Sequence, residues 1–261
     1  MENMSFEQLQ NLALIGDSEA IKELARFYCA SKNFPLAFQT ISRFEFIEDA
    51  AGYRELGKYY EKGIGTAVDL EKAQKYYIKS YELGDYVAGY LLAVFLSKNE
   101  RYLEAVQYLT LGLLNDYVPA IKMLADYYLK GLGLEKNIEI AIKLYSKLLD
   151  LGENKYYDVI GKIYYQRKEY MLALSYFEKG ANLFDVDAIY HLAICYAKGQ
   201  GTSMDNVKAV HYYEIGYKHN HPKCIYNLAF HYKNGIGVKK DEEKASELLA
   251  KYEKITKNID K

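Results

Sequence analysis

The sequence predicts an all-α protein made of seven consecutive helix pairs. Two columns of residues recur along the chain at nearly constant intervals, which is typical of repeat architectures. Each recurrence also shows the 3.6-residue periodicity of amphipathic helices. Only three prolines occur in 261 residues. Such a low count suits a chain built almost wholly of helices, because proline disrupts a helix interior.

The first recurring feature is a large aliphatic residue followed by a small one. It occurs at Leu24-Ala25, Leu56-Gly57, Leu92-Ala93, Leu124-Ala125, Ile160-Gly161, Leu192-Ala193 and Leu228-Ala229. The second column is alanine every time, at Ala37, Ala73, Ala105, Ala141, Ala173, Ala209 and Ala245. Each alanine that has a following pair precedes it by 19 residues, whereas the distance from a pair to its alanine is 13 or 17 residues. One turn within each helix pair therefore carries all the variation in length.

Each repeat is predicted to contain two amphipathic helices. In the first helix of the second repeat, apolar or small residues lie at i, i+3, i+4 and i+7, which share one helix face. They are Tyr53, Leu56, Gly57 and Tyr60. The second helix repeats this pattern at Ala73, Tyr76, Tyr77 and Ser80. The small residues allow two backbones to approach at a helix crossing, and the neighbouring large side chains fill the space beside it.

The longer turns contain a Gly-x-Gly sequence. It occurs at Gly63-Ile64-Gly65, Gly131-Leu132-Gly133, Gly199-Gln200-Gly201 and Gly235-Ile236-Gly237. We expect the first glycine to end a helix in the left-handed conformation and an aliphatic middle residue to pack back onto the helix. The next helix then needs an N-cap acceptor, and the candidates are Asp69, Asn137, Asp205 and Asp241. The shorter turns, such as residues 98–102, have no glycine.

These residues resemble the Sel1-like repeat. The resemblance is carried by Gly63-Ile64-Gly65, Asp69, Lys72-Ala73, Tyr76-Tyr77 and Leu83-Gly84, and it recurs at residues 199–213 and 235–245. The short repeats, which begin near Ser18, Asp85 and Glu153 and lack the glycine turn, look closer to the tetratricopeptide repeat. The resemblance implies a right-handed α-solenoid whose first helices form a concave face. It also implies an adaptor role, and bacterial stand-alone members include host-interaction factors and immunity proteins that neutralise secreted toxins.

The predicted organisation has three parts. Residues 1–17 form an N-terminal capping helix, residues 18–254 form the solenoid, and residues 255–261 form a polar tail. The seven repeats are predicted to span residues 18–47, 48–84, 85–115, 116–152, 153–184, 185–220 and 221–254.

Composition and charge exclude several classes of partner. Lys and Arg total 34 and Asp and Glu total 35, so neither nucleic acid nor an anionic membrane surface is favoured. We expect no membrane insertion, because the sequence contains no long apolar run and its N-terminus is polar and acidic. The three cysteines cannot form a disulfide framework, which favours the cytoplasm. A monomer is expected.

The sequence does not predict an enzyme or a cofactor site. The glycine turns follow helices rather than strands, and no Gly-Lys-Ser/Thr motif accompanies them, so they do not match a phosphate-binding loop. Some Sel1-like proteins are linked to β-lactam chemistry, but no Ser-x-x-Lys motif occurs here.

The histidines support one alternative, a metal-dependent sensor or hydrolase. All five lie in the last two predicted repeats, His191 and Cys195 are four residues apart on one helix, and His231 follows at the position of Cys195 one repeat later. This spacing can place two metal ligands side by side. Cys195 is flanked by Ile194 and Tyr196, however, and no carboxylate is obviously placed as a third ligand. We therefore favour core and surface roles for these residues.

The candidate partner-binding residues come from an analogy with tetratricopeptide packing. The lining positions would lie two before, two after and five after the aliphatic residue of each pair. The candidates are Arg26, Arg54, Lys58, Tyr90, Lys122, Tyr165, Tyr190, Ile194, Tyr226, Phe230 and Lys233. We expect one specific polypeptide, such as a toxin, an effector or a regulatory protein, to contact the aromatic residues of the last two repeats. Arg26, Arg54 and Lys58 would bind acidic groups at the other end.

Packing offers a second interpretation of these aromatic residues, since they could touch neighbouring helices and fill the curve of the solenoid. Four other tyrosines fall in the packing column of the repeat and are predicted to lie in the core: Tyr60, Tyr128, Tyr196 and Tyr232.

Overall fold

The computed structural model describes residues 5–259, with side chains described to residue 257. Within that range there are fifteen α-helices, one short 3₁₀ helix and no strand, which confirms the all-α prediction. The described residues form two compact units, one ending at Ala141 and the other beginning at Ile142. We call them the N-terminal body and the C-terminal body. The division falls within α9 (Ile138–Asp150).

In the N-terminal body, each helix packs against the next one in the chain. The helices are α1 (Phe6–Leu14), α2 (Ser18–Ala30), α3 (Phe34–Ile41), the 3₁₀ helix (Ser42–Glu45), α4 (Ala50–Lys62), α5 (Leu70–Glu82), α6 (Tyr86–Lys98), α7 (Tyr102–Leu114) and α8 (Val118–Lys130).

The C-terminal body follows the same order of packing from α10 onward. Its helices after α9 are α10 (Tyr156–Gln166), α11 (Tyr170–Asn182), α12 (Val186–Lys198), α13 (Asn206–Lys218), α14 (Pro222–Asn234) and α15 (Glu242–Ile259). The even-numbered helices α2 to α14 are the first helices of the repeats, and the odd-numbered helices α3 to α15 are the second helices.

The long turns form as the sequence predicts. The first glycines are left-handed, with φ values of 66°, 74°, 65° and 67° at Gly63, Gly131, Gly199 and Gly235. The four predicted N-caps accept hydrogen bonds from backbone N–H groups three residues later. The second glycine of each turn provides close approach: a Cβ at Gly65 would clash with the backbone carbonyl of Phe34 in the preceding second helix. Each long turn is therefore both a helix cap and a contact between repeats.

The short turns contain a feature that the sequence did not reveal. Lys32, Glu100 and Lys168 adopt left-handed φ values of 58°, 59° and 62° at the positions where the chain reverses. The geometry of the turn still requires a left-handed residue, although none of these residues is glycine. This conformation costs roughly 1–2 kcal/mol for a residue that has a Cβ atom.

The small residues of the two recurring columns lie at the centre of each helix pair. The seven alanines of the second column are at most 2% exposed. A Cβ at Gly57 would lie 2.8 Å from the ring of Tyr77, so the glycine is needed for the crossing of α4 and α5. Of the four tyrosines predicted in the core, Tyr60 and Tyr232 are buried. Tyr128 and Tyr196 are only partly buried, so the core prediction is wrong for these two. The Tyr196 ring stacks on Tyr212, with 5.7 Å between centroids.

The two ends of the described chain are helical. α1 packs against α2, and its first turn carries a capping box between Ser5 and Gln8. At the other end, α15 continues to Ile259 through most of the segment predicted as a polar tail, and Ile255 packs against the core of the C-terminal body. The remaining residues of the predicted terminal segments, 1–4 and 260–261, lie outside the described residues. No helix between residues 5 and 259 has both the length and the apolar character needed to cross a membrane.

Candidate functional site

Three columns on the first helices contain all the predicted partner-binding residues. The minus-two column lies two residues before the aliphatic pair: Lys22, Arg54, Tyr90, Lys122, Asp158, Tyr190 and Tyr226. The plus-two column lies two residues after its aliphatic residue: Arg26, Lys58, Val94, Asp126, Lys162, Ile194 and Phe230. The plus-five column lies five residues after it: Cys29, Glu61, Ser97, Leu129, Tyr165, Ala197 and Lys233.

Most of the minus-two column contacts the start of the next repeat. Arg54 Nη1 lies 2.5 Å from Asp85 Oδ2, the carboxylate that caps α6. The Tyr90 ring packs edge-on against Tyr117, with 5.7 Å between centroids. In the C-terminal body, Asp158 takes the place of Arg54 and binds His191 of α12. These side chains therefore hold consecutive repeats together.

The basic candidates of the first repeats are paired within the chain. Arg26 forms an ion pair with Glu23, and Lys58 Nζ lies 2.8 Å from Glu55 Oε1. Lys122 Nζ likewise lies 2.5 Å from Asp126 Oδ2. Arg54 pairs with Asp85, so Arg26, Arg54 and Lys58 each have a carboxylate partner, as does Lys122 of the fourth repeat. This pairing weakens the case for the binding of acidic groups by Arg26, Arg54 and Lys58.

Parts of the plus-five column also contact the following repeat. Cys29 Sγ lies 3.1 Å from the Tyr59 hydroxyl, and Ser97 shares a hydrogen bond with the Tyr127 hydroxyl. The Tyr165 hydroxyl donates to the side-chain oxygen of Gln200. Burial is the main reason that the pKa of Tyr165 is raised. Tyr165, predicted to bind a partner, is thus held in a contact between repeats.

The plus-two column changes character in the C-terminal body. Its two last members are Ile194 on α12 and Phe230 on α14, where earlier repeats carry charged residues or valine. Phe230 is 54% exposed and Ile194 is partly buried. Neither side chain can form a hydrogen bond, so both are available for apolar contacts.

Ile194 and Phe230 line one open cleft of about 330 Å³ between α12 and α14. Tyr190, Ala197 and Lys198 of α12 share the lining, as do Asn227 and His231 of α14 and Tyr213 of α13. The structure thus brings three predicted residues together, Tyr190, Ile194 and Phe230. Tyr226 lies apart from this lining, with its ring 5.5 Å from Tyr252 of α15 and 53% of its surface exposed.

Tyr190 forms one wall of the cleft and is fixed by its neighbours. Its ring lies 5.0 Å from His191 and 5.2 Å from His221, between centroids. Burial raises the pKa of Tyr190, and a hydrogen bond from Asn227 partly offsets that rise. The Asn227 amide also donates to the Tyr213 hydroxyl at 3.1 Å. The polar floor of the cleft is therefore an ordered network in which Tyr190 serves both packing and lining.

The three candidate metal ligands, His191, Cys195 and His231, have roles within the fold. His191 Nδ1 lies 2.7 Å from Asp158 Oδ1 and 2.9 Å from the Asp187 carbonyl, both of which are acceptors. His231 Nδ1 donates to the Ile236 carbonyl at 2.8 Å. Cys195 is fully buried, and burial raises its pKa to about 12. Among residues 5–257, no group of three or more His, Cys, Asp or Glu side chains is placed to hold a metal ion.

Asp158 is the buried centre of a charged network in the C-terminal body. Its side chain is 5% exposed and contacts Lys162 Nζ at 2.9 Å as well as His191. Burial alone would raise the pKa of Asp158, but the hydrogen bonds and charges of His191 and Lys162 together lower it. The His191 ring also stacks on Phe177, with 5.1 Å between centroids. This network positions α12, and with it Tyr190, on α10 and α11.

Sequence reasoning missed several residues around the cleft. Asn227 and Tyr213 lie outside the three columns, and Lys198 follows the plus-five column by one residue. Lys223 lies over the Tyr190 ring, with Nζ 5.6 Å from the centroid. Only the i+4 spacing from Tyr190 to Ile194 and Lys198 could have indicated that Lys198 shares their helix face.

Comparisons with known proteins agree with the helix pairs. The Sel1 repeat matches residues 50–85, 118–153, 161–183, 186–221 and 222–251. The Sel1-like repeat-containing protein L21 of Acanthamoeba polyphaga mimivirus is 32% identical over 120 residues, which is 46% of this chain and 22% of that protein. This chain therefore spans only a fraction of that viral relative.

Two solved structures have a similar fold. c5321, a protective antigen of uropathogenic Escherichia coli strains with an SLR fold, is 23% identical with a TM-score of 0.69, and the match covers 92% of this chain and 54% of c5321. A Sel1 repeat protein from Oxalobacter formigenes is 25% identical with a TM-score of 0.64, covering 89% of this chain and 96% of that one. The fold class is thus an α-solenoid of helix pairs. With Sel1 repeats over well more than half of its residues, the chain belongs to the Sel1 repeat family.

Proposed function

We propose that the chain is a non-enzymatic module that binds one specific polypeptide in the cleft between α12 and α14. The observation that carries the proposal is the cleft lining, where Tyr190, Ile194 and Phe230 present apolar surface. Several other members of the same columns, among them Arg26, Arg54 and Lys58, are instead engaged in ion pairs. The Phe230 ring is 54% exposed. The exposed part of the ring does not stabilise the fold, and exposed apolar surface commonly marks an interaction site.

The family supports the class of partner. Sel1 repeats and the related tetratricopeptide repeats generally mediate contacts between proteins. Tyrosine and phenylalanine suit such a role, because they supply large contact areas while immobilising few rotatable bonds.

The biological setting of the proposal is a bacterial immunity or regulatory protein that neutralises a cognate toxin or effector in the cytoplasm. The resemblance to bacterial repeat proteins supports this setting. The three cysteines, which are free thiols, are consistent with a reducing compartment. A monomer is part of the proposal.

The metal-dependent alternative has weaker support. One ring nitrogen of His191 and one of His231 are engaged by acceptors of the fold. The raised pKa of Cys195 opposes the thiolate form that a metal ligand needs. No observation favours hydrolase chemistry at these residues over their hydrogen-bonding roles.

A paired-variant experiment tests the proposed cleft. Full-length protein and an Ile194→Ser/Phe230→Ser variant would be used to capture partners, which mass spectrometry would quantify. Binding of the purified partner would then be measured by calorimetry. We expect the double variant to weaken binding by about thirtyfold or more, because truncating interface anchors typically costs at least about 2 kcal/mol.

The matched control is Met204→Ser, which removes another exposed apolar side chain from the same body. It should leave both partner binding and the melting temperature unchanged. If the double variant binds the partner as tightly as the unmodified protein does, the cleft is not the binding site.

A further inference from the structure

We infer that the cleft between α12 and α14 takes an acidic polypeptide segment that carries one apolar anchor side chain. This inference rests on the proposed function and specifies its partner. The apolar anchor follows from the lining, and the acidic character follows from the charges around it.

The apolar part of the cleft has room for a large side chain. Its volume is about 330 Å³, and Ile194, Ala197 and Phe230 supply carbon surface on facing helices. The polar floor made by Asn227 and Tyr213 is already hydrogen-bonded within the fold. An aliphatic or aromatic side chain can therefore enter without leaving these groups unpaired, whereas a charged side chain would lose its hydration there.

Three exposed lysines surround this apolar surface. Lys198 lines the cleft itself, and Lys223 lies over the outer wall formed by Tyr190. Lys233 follows Phe230 by three residues on α14, a spacing that places two side chains next to each other on a helix surface. Among residues 5–257, none of the three has a carboxylate within 4.0 Å.

The nearby carboxylates contact other side chains more closely than they contact these lysines, although the charge of Lys233 helps to lower the pKa of Glu242. Asp187 Oδ1 lies 3.2 Å from His221 Nε2, and Glu242 pairs with Lys240. Asp158 is held by Lys162 and His191. The basic candidates Arg26, Arg54 and Lys58 have carboxylates within ion-pair distance, whereas Lys198, Lys223 and Lys233 have none within 4.0 Å among residues 5–257. Charge complementarity therefore favours a negatively charged partner.

The test is a selection of peptides on the full-length protein from a random dodecamer library displayed on phage. Enriched sequences would be synthesised with a fluorescent label, and their affinities measured by anisotropy at two salt concentrations. We expect one Leu, Ile, Phe, Tyr or Met near at least two Asp or Glu residues. Affinity should fall as the salt concentration rises.

Two variants and a control make the outcome specific. Lys198→Gln/Lys233→Gln should weaken peptide binding by about tenfold and reduce its salt dependence. Ile194→Ser/Phe230→Ser should abolish measurable binding. Lys143→Gln, which removes an exposed lysine from α9, should leave the affinity unchanged.

The contrary outcomes separate the two proposals. Neutral or basic peptides that still require Phe230 would overturn the acidic specificity and leave the proposed cleft intact. Peptides that bind the Ile194→Ser/Phe230→Ser variant as tightly as the unmodified protein would contradict both proposals. A selection that enriches no sequence would also contradict both. A single-stranded oligothymidylate could also be tested as a competitor. If it displaces the peptide, and this displacement requires Lys198 and Lys233, the result would contradict a peptide ligand and favour nucleic acid.

Discussion

Asp85 and Asp185 show how one residue type can have opposite consequences at equivalent positions. Both cap a first helix by accepting backbone hydrogen bonds with Oδ1. The Oδ2 atom of Asp85 is bound by Arg54 and by Ser80. At the equivalent positions before Asp185 the chain has Asp158 and Gly180, and Asp185 Oδ2 is buried without a partner among the described residues. Burial is the main reason that the pKa of Asp185 is raised.

Asparagine substitutions at these two sites should therefore have different effects on stability. Asp85→Asn removes the carboxylate closest to the Arg54 guanidinium and leaves Glu55 Oε1 3.7 Å from Arg54 Nε. We expect this change to lower the free energy of unfolding by about 1–2 kcal/mol. Asp185→Asn retains the N-cap acceptor and removes an unpaired charge, so stability at pH 7 should be unchanged or higher. Urea denaturation of both variants and the unmodified protein measures the difference.

The pH dependence provides an internal check on Asp185. A carboxyl whose pKa is raised by folding adds stability in its protonated form, and that stability is lost as the pH rises through the raised pKa. The advantage of Asp185→Asn should thus shrink when the pH falls through that pKa. An advantage that persists below the ordinary carboxyl range, or a destabilised Asp185→Asn at pH 7, would contradict the burial of an unpaired charge.

At the scale of the helical elements, the turns show what sequence reasoning could and could not predict. The glycine turns and their Asp and Asn caps were predictable because each residue type is required by the local backbone. The left-handed Lys32, Glu100 and Lys168 were not, since lysine and glutamate carry no signal for that conformation. The turns between repeats show the same mixture: Gly152 and Phe184 occupy equivalent positions with φ of 87° and 61°.

Exchanging the residue types at these two turns should reveal the backbone cost. Phe184 is 74% exposed, so Phe184→Gly removes little packing and should raise stability by about 0.5–1 kcal/mol, through relief of the left-handed strain. Gly152→Phe should lower stability by about 1–2 kcal/mol, although a Cβ there meets no atom within 4 Å.

Thermal melts of both variants provide the measurement, with Leu183→Ala as a control for lost apolar contact beside the turn. If Phe184→Gly melts lower than the unmodified protein, the Phe184 ring contributes packing that outweighs its strain.

At the scale of the whole molecule, the fold was predictable and the site only in part. Regular spacing predicted the helix pairs because every repeat packs its two helices through similar residue types at the same positions. The spacing also located Tyr190, Ile194 and Phe230 on the first helices. It did not reveal that Arg54 and Lys58 are paired within the chain, or that Lys198 and Lys223 border the cleft. Those facts depend on contacts between successive repeats, which a single column cannot show.

Packing between neighbouring helices predicts which helices a core substitution destabilises in the C-terminal body. Leu192 is 1% exposed at the centre of α12, and Leu192→Ala should cost about 2–5 kcal/mol. Hydrogen exchange should accelerate in α10 to α14, because repeats of this kind contact mainly their neighbours. Amides of α2 and α3 should keep their protection. Equal acceleration at every helix would contradict local coupling.

The contacts of the minus-two column give the chain a direction. Arg54 reaches forward to Asp85, and Asp158 reaches forward to His191, so the surface that one repeat presents depends on the sequence of its successor. Exchanging a single repeat between relatives would therefore alter two surfaces, its own and that of the repeat before it. Exchanging an adjacent pair of repeats would preserve the contact inside the pair and replace the contacts at its two ends. A repeat that moves between relatives should therefore keep its own surface only when its successor moves with it.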